Sequence, residues 1–168
     1  IHLAGITDVA YTKTESNLEQ DKNIKETAIV GTRNIINSVA DNCKIIFPST
    51  HVVYEGFEET KLDINESEQT CPTLSYANGK VQSEIDLKQS NKNYVILRFA
   101  SVYGYSSDTM RTNIMPNLFS KIASQNGTIK LFSGGVQLKS LVPLLDVVRC
   151  LKFMEERTDI NKELFHLS

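Results

Sequence analysis

The sequence predicts an α/β protein, part of a doubly wound parallel sheet with helices on both faces. Two short apolar runs, residues 44–47 and 94–97, have the unbroken hydrophobicity of strands buried on both sides. Longer segments whose apolar residues recur at helical spacing lie around them. Strand and helix in alternation along a chain produce a parallel sheet joined by right-handed crossovers.

Residues 1–5 read as the end of a buried strand that opens directly into a loop, so a segment is expected before Ile1. From about residue 16 to 41, Ile24, Ala28, Gly31, Ile35 and Val39 recur at helical spacing, and Ile29, Ile36 and Ala40 broaden the stripe into a long helix. The strand at 44–47 follows. Residues 49–73 lack periodicity, carry six acidic residues from Glu55 to Glu68 and close with Pro72; so long a loop in a compact domain is usually functional. A helix over 75–89 sets Ala77, Val81 and Ile85 as its packing stripe beside a column of Tyr76, Lys80 and Glu84. After the strand at 94–97 come a loop through Gly104 to Arg111 and a helix over 113–124. Two short strands, 129–132 and 138–142, are expected around the Gly134-Gly135 turn, then a helix over 146–156 and a strand over 164–167. No repeat, low-complexity segment or linker interrupts this order.

The chain has 168 residues, 40% of them hydrophobic and 23% charged, as in an ordinary globular protein with a sizeable core. A formal net charge of -2, with scattered lysines and arginines, gives no reason to expect nucleic acid or an anionic membrane as partner. No apolar run approaches the ~20 residues needed to span a bilayer, and no basic region followed by an apolar one opens the chain. The cytoplasm is the default location. Cys43, Cys71 and Cys150 are odd in number and far apart, which points to reduced thiols.

The chemistry centres on Tyr76 and Lys80. Four residues apart on a helix, they point the same way, so phenol and ammonium can share one site. A phenol titrates near ~10 in a peptide, and a nearby cation favours the phenolate, making the tyrosine a proton donor and acceptor near neutrality. Thr50, where a strand gives way to a loop, can add a hydroxyl. The alternative is a tyrosine that merely packs and a solvated lysine. His2 and His51 have no nearby ligand set, so no metal site is expected.

The surroundings decide between these readings. Ile1-His2-Leu3-Ala4-Gly5, Gly31-Thr32-Arg33-Asn34-Ile35-Ile36, Ser49-Thr50-His51-Val52-Val53-Tyr54, Tyr76-x-x-x-Lys80 with Glu84, and Leu97-Arg98-Phe99-Ala100-Ser101-Val102-Tyr103-Gly104 occur in this order. The series resembles the extended short-chain dehydrogenase/reductase family, the NAD-dependent epimerases, dehydratases and reductases of nucleotide sugars, over nearly the whole chain. The resemblance implies a partial Rossmann-type NAD(P)-binding domain over 1–111 and a partial substrate-binding region with returning Rossmann elements over 112–168. It also implies NAD or NADP as cofactor, a nucleotide-sugar substrate and a homodimer at full length. Leu3, Ala4 and Gly5 would run along the dinucleotide, with Phe99 and Ala100 flanking its nicotinamide. Thr50 would hydrogen-bond the reacting sugar oxygen, Tyr76 would exchange the proton, and Lys80 would hold the nicotinamide ribose and lower the tyrosine pKa. Ser101 stands at a substrate-binding position in place of a frequent asparagine. Asn113, in Asn113-Ile114-Met115-Pro116, would contact the diphosphate or sugar, or else cap a helix. Lys139 stands where many relatives carry an arginine for the diphosphate, keeping the charge without the planar fork, or else is solvated.

Departures narrow the expectation. Ala28 replaces a frequent helix asparagine, and Glu55 interrupts the usual Val-Tyr-Gly, so the run from Ser49 to Gly56 is similar to that of dTDP-4-dehydrorhamnose reductases. The 4,6-dehydratases place an aspartate and a glutamate after the active-site threonine; here stand His51 and Val52. Dehydration is therefore not expected, and the expected activity is nucleotide-sugar epimerisation by transient hydride transfer. A 4-keto-sugar reductase and a non-catalytic nucleotide-binding relative are the alternatives. No glycine-rich strand-to-helix loop occurs, so the pyrophosphate site is expected before Ile1 and more of the substrate region after Ser168. The 168 residues alone are expected to self-associate, to be inactive and to bind NAD weakly.

Overall fold

Lys44–Thr50 (β1) and Asn93–Phe99 (β2) run parallel and in register from Lys44 beside Asn93 to Thr50 beside Phe99. Glu163–Leu167 (β5) continues the sheet on the far side of β2, giving the strand order β1-β2-β5. These relationships come from a computed structural model, which describes residues 1–7, 18–108 and 110–168, with the backbone alone at Leu18 and Ser133.

The pleat sends alternate residues to opposite faces, and both faces are covered. Ile45, Phe47, Tyr94 and Ile96 pack against Leu87 of Ser75–Gln89 (α2), against Ile35 and Ile36 of Leu18–Ser38 (α1) and against Val39 just after it. Ile46, Val95, Leu97 and Phe99 pack on the other side against Val147 and Met154 of Leu144–Glu156 (α4). The expected doubly wound parallel α/β architecture is what this chain adopts. The predicted start of α1 at residue 16 lies outside the described residues, and the helix ends at Ser38, three residues short of Asp41.

Both β1 and β2 run further than their apolar cores. β1 continues through Pro48 and Ser49 to Thr50, and the short 3-10 helix His51–Tyr54 follows, capped by Thr50, whose hydroxyl oxygen accepts the Val52 N–H at 3.2 Å. The acidic loop therefore begins at Glu55. Gly56 N–H donates to the Cys71 carbonyl and Cys71 N–H to the Val53 carbonyl, which ties the loop's two ends together. Beyond β2, a short strand Ser101–Tyr103 (β3) pairs in parallel with Leu141–Pro143 (β4), and Met115–Ser124 (α3) lies between them in sequence.

Three expectations are corrected. Residues 1–5 form no strand: His2 N–H donates to the Ile46 carbonyl, but Ile1 and Leu3 are exposed, and one backbone bond makes no ladder. The strand predicted over 129–132 is absent and the one over 138–142 shrinks to β4, because β4 finds its partner in the distant β3; Phe132–Gly135 turns as a 3-10 helix instead. Along α2 the buried face is Ala77, Lys80, Ser83, Glu84 and Leu87, while Ile85 is exposed. The column read as chemistry is also the packing face, which a search for apolar periodicity cannot find.

Candidate active site

Ligands in open α/β sheets sit beyond the carboxyl ends of the strands. Here the ends of β1 and β2, at Thr50 and Phe99, open into a cleft of about 430 Å³ whose wall also includes Tyr76 and Lys80 from the first half of α2. One turn of helix separates Tyr76 from Lys80, and the Lys80 ammonium lies 6.0 Å from the centre of the Tyr76 ring.

Lys80 is 8% exposed. Its Nζ donates to the Pro48 carbonyl at 2.7 Å and sits 4.5 Å from the centre of the Phe47 ring. Burial lowers its pKa to about 8, and the Glu84 carboxylate opposes that fall. The ammonium and the neutral amine thus both come within reach near neutral pH. Proline has no backbone N–H to give a ladder but keeps its carbonyl as an acceptor, and at Pro48 that oxygen accepts from the Lys80 ammonium. This acceptor is a backbone group, and residue identity carries no signal for it.

Thr50 holds the helical turn that follows it through its oxygen lone pair, and that bond does not use its hydroxyl hydrogen. Beside it, the His51 ring bonds the Phe99 carbonyl through Nδ1 at 3.0 Å. A carbonyl only accepts, so Nδ1 carries the hydrogen there and the ring stitches the end of β1 to the end of β2. His2, buried behind the cleft, has its Nε2 3.2 Å from the Thr32 hydroxyl, and its Nδ1 has no partner among the described residues. Burial pushes its pKa down, and the nearby Lys80 charge adds to the effect, so the ring is held neutral.

Of the residues singled out in the sequence, Leu3, Thr50, Tyr76, Lys80, Phe99, Ala100 and Ser101 all line this one cleft. Ala4 and Gly5 are exposed and outside its wall. Asn113 is exposed too, and its Oδ1 accepts from Arg111 Nε at 2.9 Å; the helix it was expected to cap starts two residues later, behind Ile114, with no side-chain cap. Lys139 lies on a second cavity, of about 800 Å³, along with Arg98 and His166. Asn117, by contrast, went unnoticed in the sequence. From α3 it accepts the Gly104 N–H at 3.1 Å and donates to the Arg111 carbonyl at 2.9 Å, closing the loop that walls the cleft. Gly104 itself has φ +143, and a Cβ there would meet Leu144 Cβ at 3.1 Å, which accounts for a glycine at that turn.

The sequence profile of the NAD dependent epimerase/dehydratase family matches residues 1–166. No curated protein sequence matches. Among solved structures, UDP-glucuronic acid 4-epimerase from Bacillus cereus, determined with UDP-glucuronic acid and NAD, superposes with a TM-score of 0.79 at 21% identity, covering 100% of this chain and 52% of that one. UDP-glucose 4-epimerase from Thermotoga maritima, with UDP-glucose, gives 0.76 at 22% identity over 95% of this chain and 53% of that one. A dTDP-glucose 4,6-dehydratase from Streptomyces venezuelae, a double mutant with NAD bound, gives 0.69 at 19% identity over 92% and 49%. The chain thus spans about half the length of the solved relatives it matches.

Proposed function

This chain belongs to the NAD dependent epimerase/dehydratase family, and we propose that within it the chain forms the reacting half of a nucleotide-sugar epimerase site. The observation that carries this reading is the meeting of Thr50, Tyr76 and a buried Lys80 in one cleft at the carboxyl ends of β1 and β2.

The cleft fits the nicotinamide end of a dinucleotide. Its volume lies within the ~300–1,000 Å³ of small-molecule sites, and Phe99, Val102 and Leu144 offer apolar wall beside the Lys80 cation. No glycine-rich loop occurs in the 168 residues, so the fit concerns the ring and its ribose rather than the phosphates. The chemistry NAD supplies when bound is reversible hydride acceptance from a sugar carbon.

The protein's own residues do the rest. Tyr76 Oη takes the proton of the sugar hydroxyl as the carbon is oxidised and returns it afterwards. Lys80, beside the ring, favours the phenolate and offers an ammonium hydrogen to the ribose. Thr50 donates its hydroxyl hydrogen to the reacting oxygen and so fixes its direction. Phe99 and Ala100, at the end of β2, keep water from the reacting face. Where dehydratases carry an acid and a base after the threonine, His51 is bonded to the Phe99 carbonyl and Val52 is buried and cannot transfer a proton, which supports epimerisation over loss of water. Cytoplasmic location and a homodimer are further expectations of this reading; the free thiols Cys43, Cys71 and Cys150 accord with a reducing compartment.

The test is incubation of the complete protein with NAD and a panel of UDP- and dTDP-hexoses. Interconversion of two epimers with no net NADH is expected. In a parallel incubation with NADH and a dTDP-4-keto sugar, consumption of NADH would make the protein a reductase, and no turnover in either incubation would favour a binding relative.

A further inference from the structure

Behind the cleft a row of polar side chains crosses the sheet. Ser49, Arg98 and His166 are register neighbours on β1, β2 and β5, one step before the Thr50 and Phe99 ends. All three point to the α2 face, where the neighbouring positions Phe47, Ile96 and Leu164 pack. Glu84 meets this row from α2. Its Oε1 accepts from Ser49 Oγ at 2.5 Å and from Arg98 Nε at 3.0 Å, and its Oε2 accepts from the second arm of the guanidinium at 2.6 Å. The two charged side chains are 3% and 4% exposed, whereas every other ion pair among the described residues has at least one partner above 30%.

The row extends outward. Arg98 also donates to Tyr54 Oη, and Tyr54 lies 2.9 Å from His166 Nε2. His166 Nδ1 bonds the Ile64 carbonyl at 3.1 Å, so the hydrogen sits on Nδ1 and Tyr54 donates to Nε2. His166 N–H donates to Glu66 Oε1 at 2.9 Å. All three guanidinium nitrogens and both carboxylate oxygens of the Glu84–Arg98 pair are thereby hydrogen-bonded, as a buried polar cluster requires.

Glu84 continues the spacing of four that sets Tyr76 and Lys80 on one side of α2, and Ser49 sits between Pro48, which holds Lys80, and Thr50. The bidentate fork has one good geometry, so it locks both the rotation of α2 and its height along the strands. We propose that Glu84, gripped by Ser49 and Arg98, is the positioning residue of this site, setting Tyr76 and Lys80 against Thr50. The inference rests on the epimerase reading, and its test separates the two.

In the complete NAD-bound protein, Glu84→Gln keeps the side chain's shape but removes its charge. A displacement of about an ångström in an active site costs on the order of 10²-fold in rate, so kcat should fall by that order while KM for the nucleotide sugar stays within about threefold. Since the carboxylate supports the Lys80 ammonium, the pH at which Lys80 is half-labelled by an amine reagent, read by mass spectrometry, should move lower. Breaking a buried pair destabilises, whereas replacing both partners by apolar residues is often neutral. The paired variant Glu84→Leu, Arg98→Met therefore keeps the fold testable, and its kcat should remain low although its stability recovers. Recovery of kcat to within about threefold of wild type in either folded variant would overturn the positioning role. Should the wild-type protein turn over no sugar, the epimerase reading fails and a crystal structure of Glu84→Gln decides: Tyr76 and Lys80 unmoved relative to Thr50 overturn the inference, and their displacement upholds it.

Discussion

Lys80 and Pro48 are joined by a 2.7 Å hydrogen bond from the ammonium to the carbonyl oxygen, between the buried face of α2 and the backbone of β1. The bond holds a charge in a place that disfavours charge. It thereby couples the ionisation of one lysine to the stability of the protein and to the state of the cleft.

The first prediction follows from that coupling. Burial lowers the Lys80 pKa from 10.5 to about 8 in the folded chain, so between those pH values the unfolded chain binds more protons than the folded one. Stability then rises with pH across the window, and the cost of burying the charge is present in full below about pH 8. At 1.36 kcal/mol per unit the contribution is about 3 kcal/mol. Denaturant unfolding should show the difference in stability between wild type and Lys80→Met changing by up to this amount from pH 8 to 10.5. A difference independent of pH would contradict the lowered pKa.

Removing the Tyr76 hydroxyl tests the proton route. Tyr76→Phe leaves the ring in place, and general acid–base catalysis is typically worth roughly 10²–10⁴-fold in rate. Turnover should fall within that range with unchanged NAD affinity. A phenylalanine variant within about threefold of wild type would show that a different group moves the proton.

Loss of water from the sugar should not occur. Val52 is buried and its aliphatic side chain has no proton to transfer, so the position cannot supply the second acid or base. Mass spectrometry of a nucleotide hexose after incubation with the protein and NAD should show an unchanged mass. A product lighter by one water would refute this.

Gly56 should tolerate no side chain. A Cβ there would lie 2.4 Å from the Cys71 carbonyl oxygen and 2.8 Å from Cys71 Sγ, and the carbonyl belongs to the backbone pairing that closes the acidic loop. Overpacking of this kind costs roughly 1–3 kcal/mol. Gly56→Ala should lower unfolding stability by that amount in a urea titration. A variant as stable as wild type would mean that the loop closes in a different way.

The sequence by itself determined the alternation of strand and helix, the limits of α2, and the convergence of Thr50, Tyr76 and Lys80. Each of these is local. Apolar runs, helical spacing and a four-residue interval are set by neighbours in the chain, and in a parallel sheet they suffice to bring strand ends and helix starts to one edge. The tertiary structure decided what depends on residues far apart. β4 chose β3 over the nearer 129–132 segment because strand pairing is settled by which edge is within reach. Pro48 became the acceptor for Lys80 because a carbonyl has no signature in residue identity. The buried face of α2 turned out to be Lys80, Ser83 and Glu84, since a charge can be buried when its partner, here Arg98 on β2, arrives from across the sheet. Hydropathy records the cost of burying such groups and is blind to the partner that offsets it.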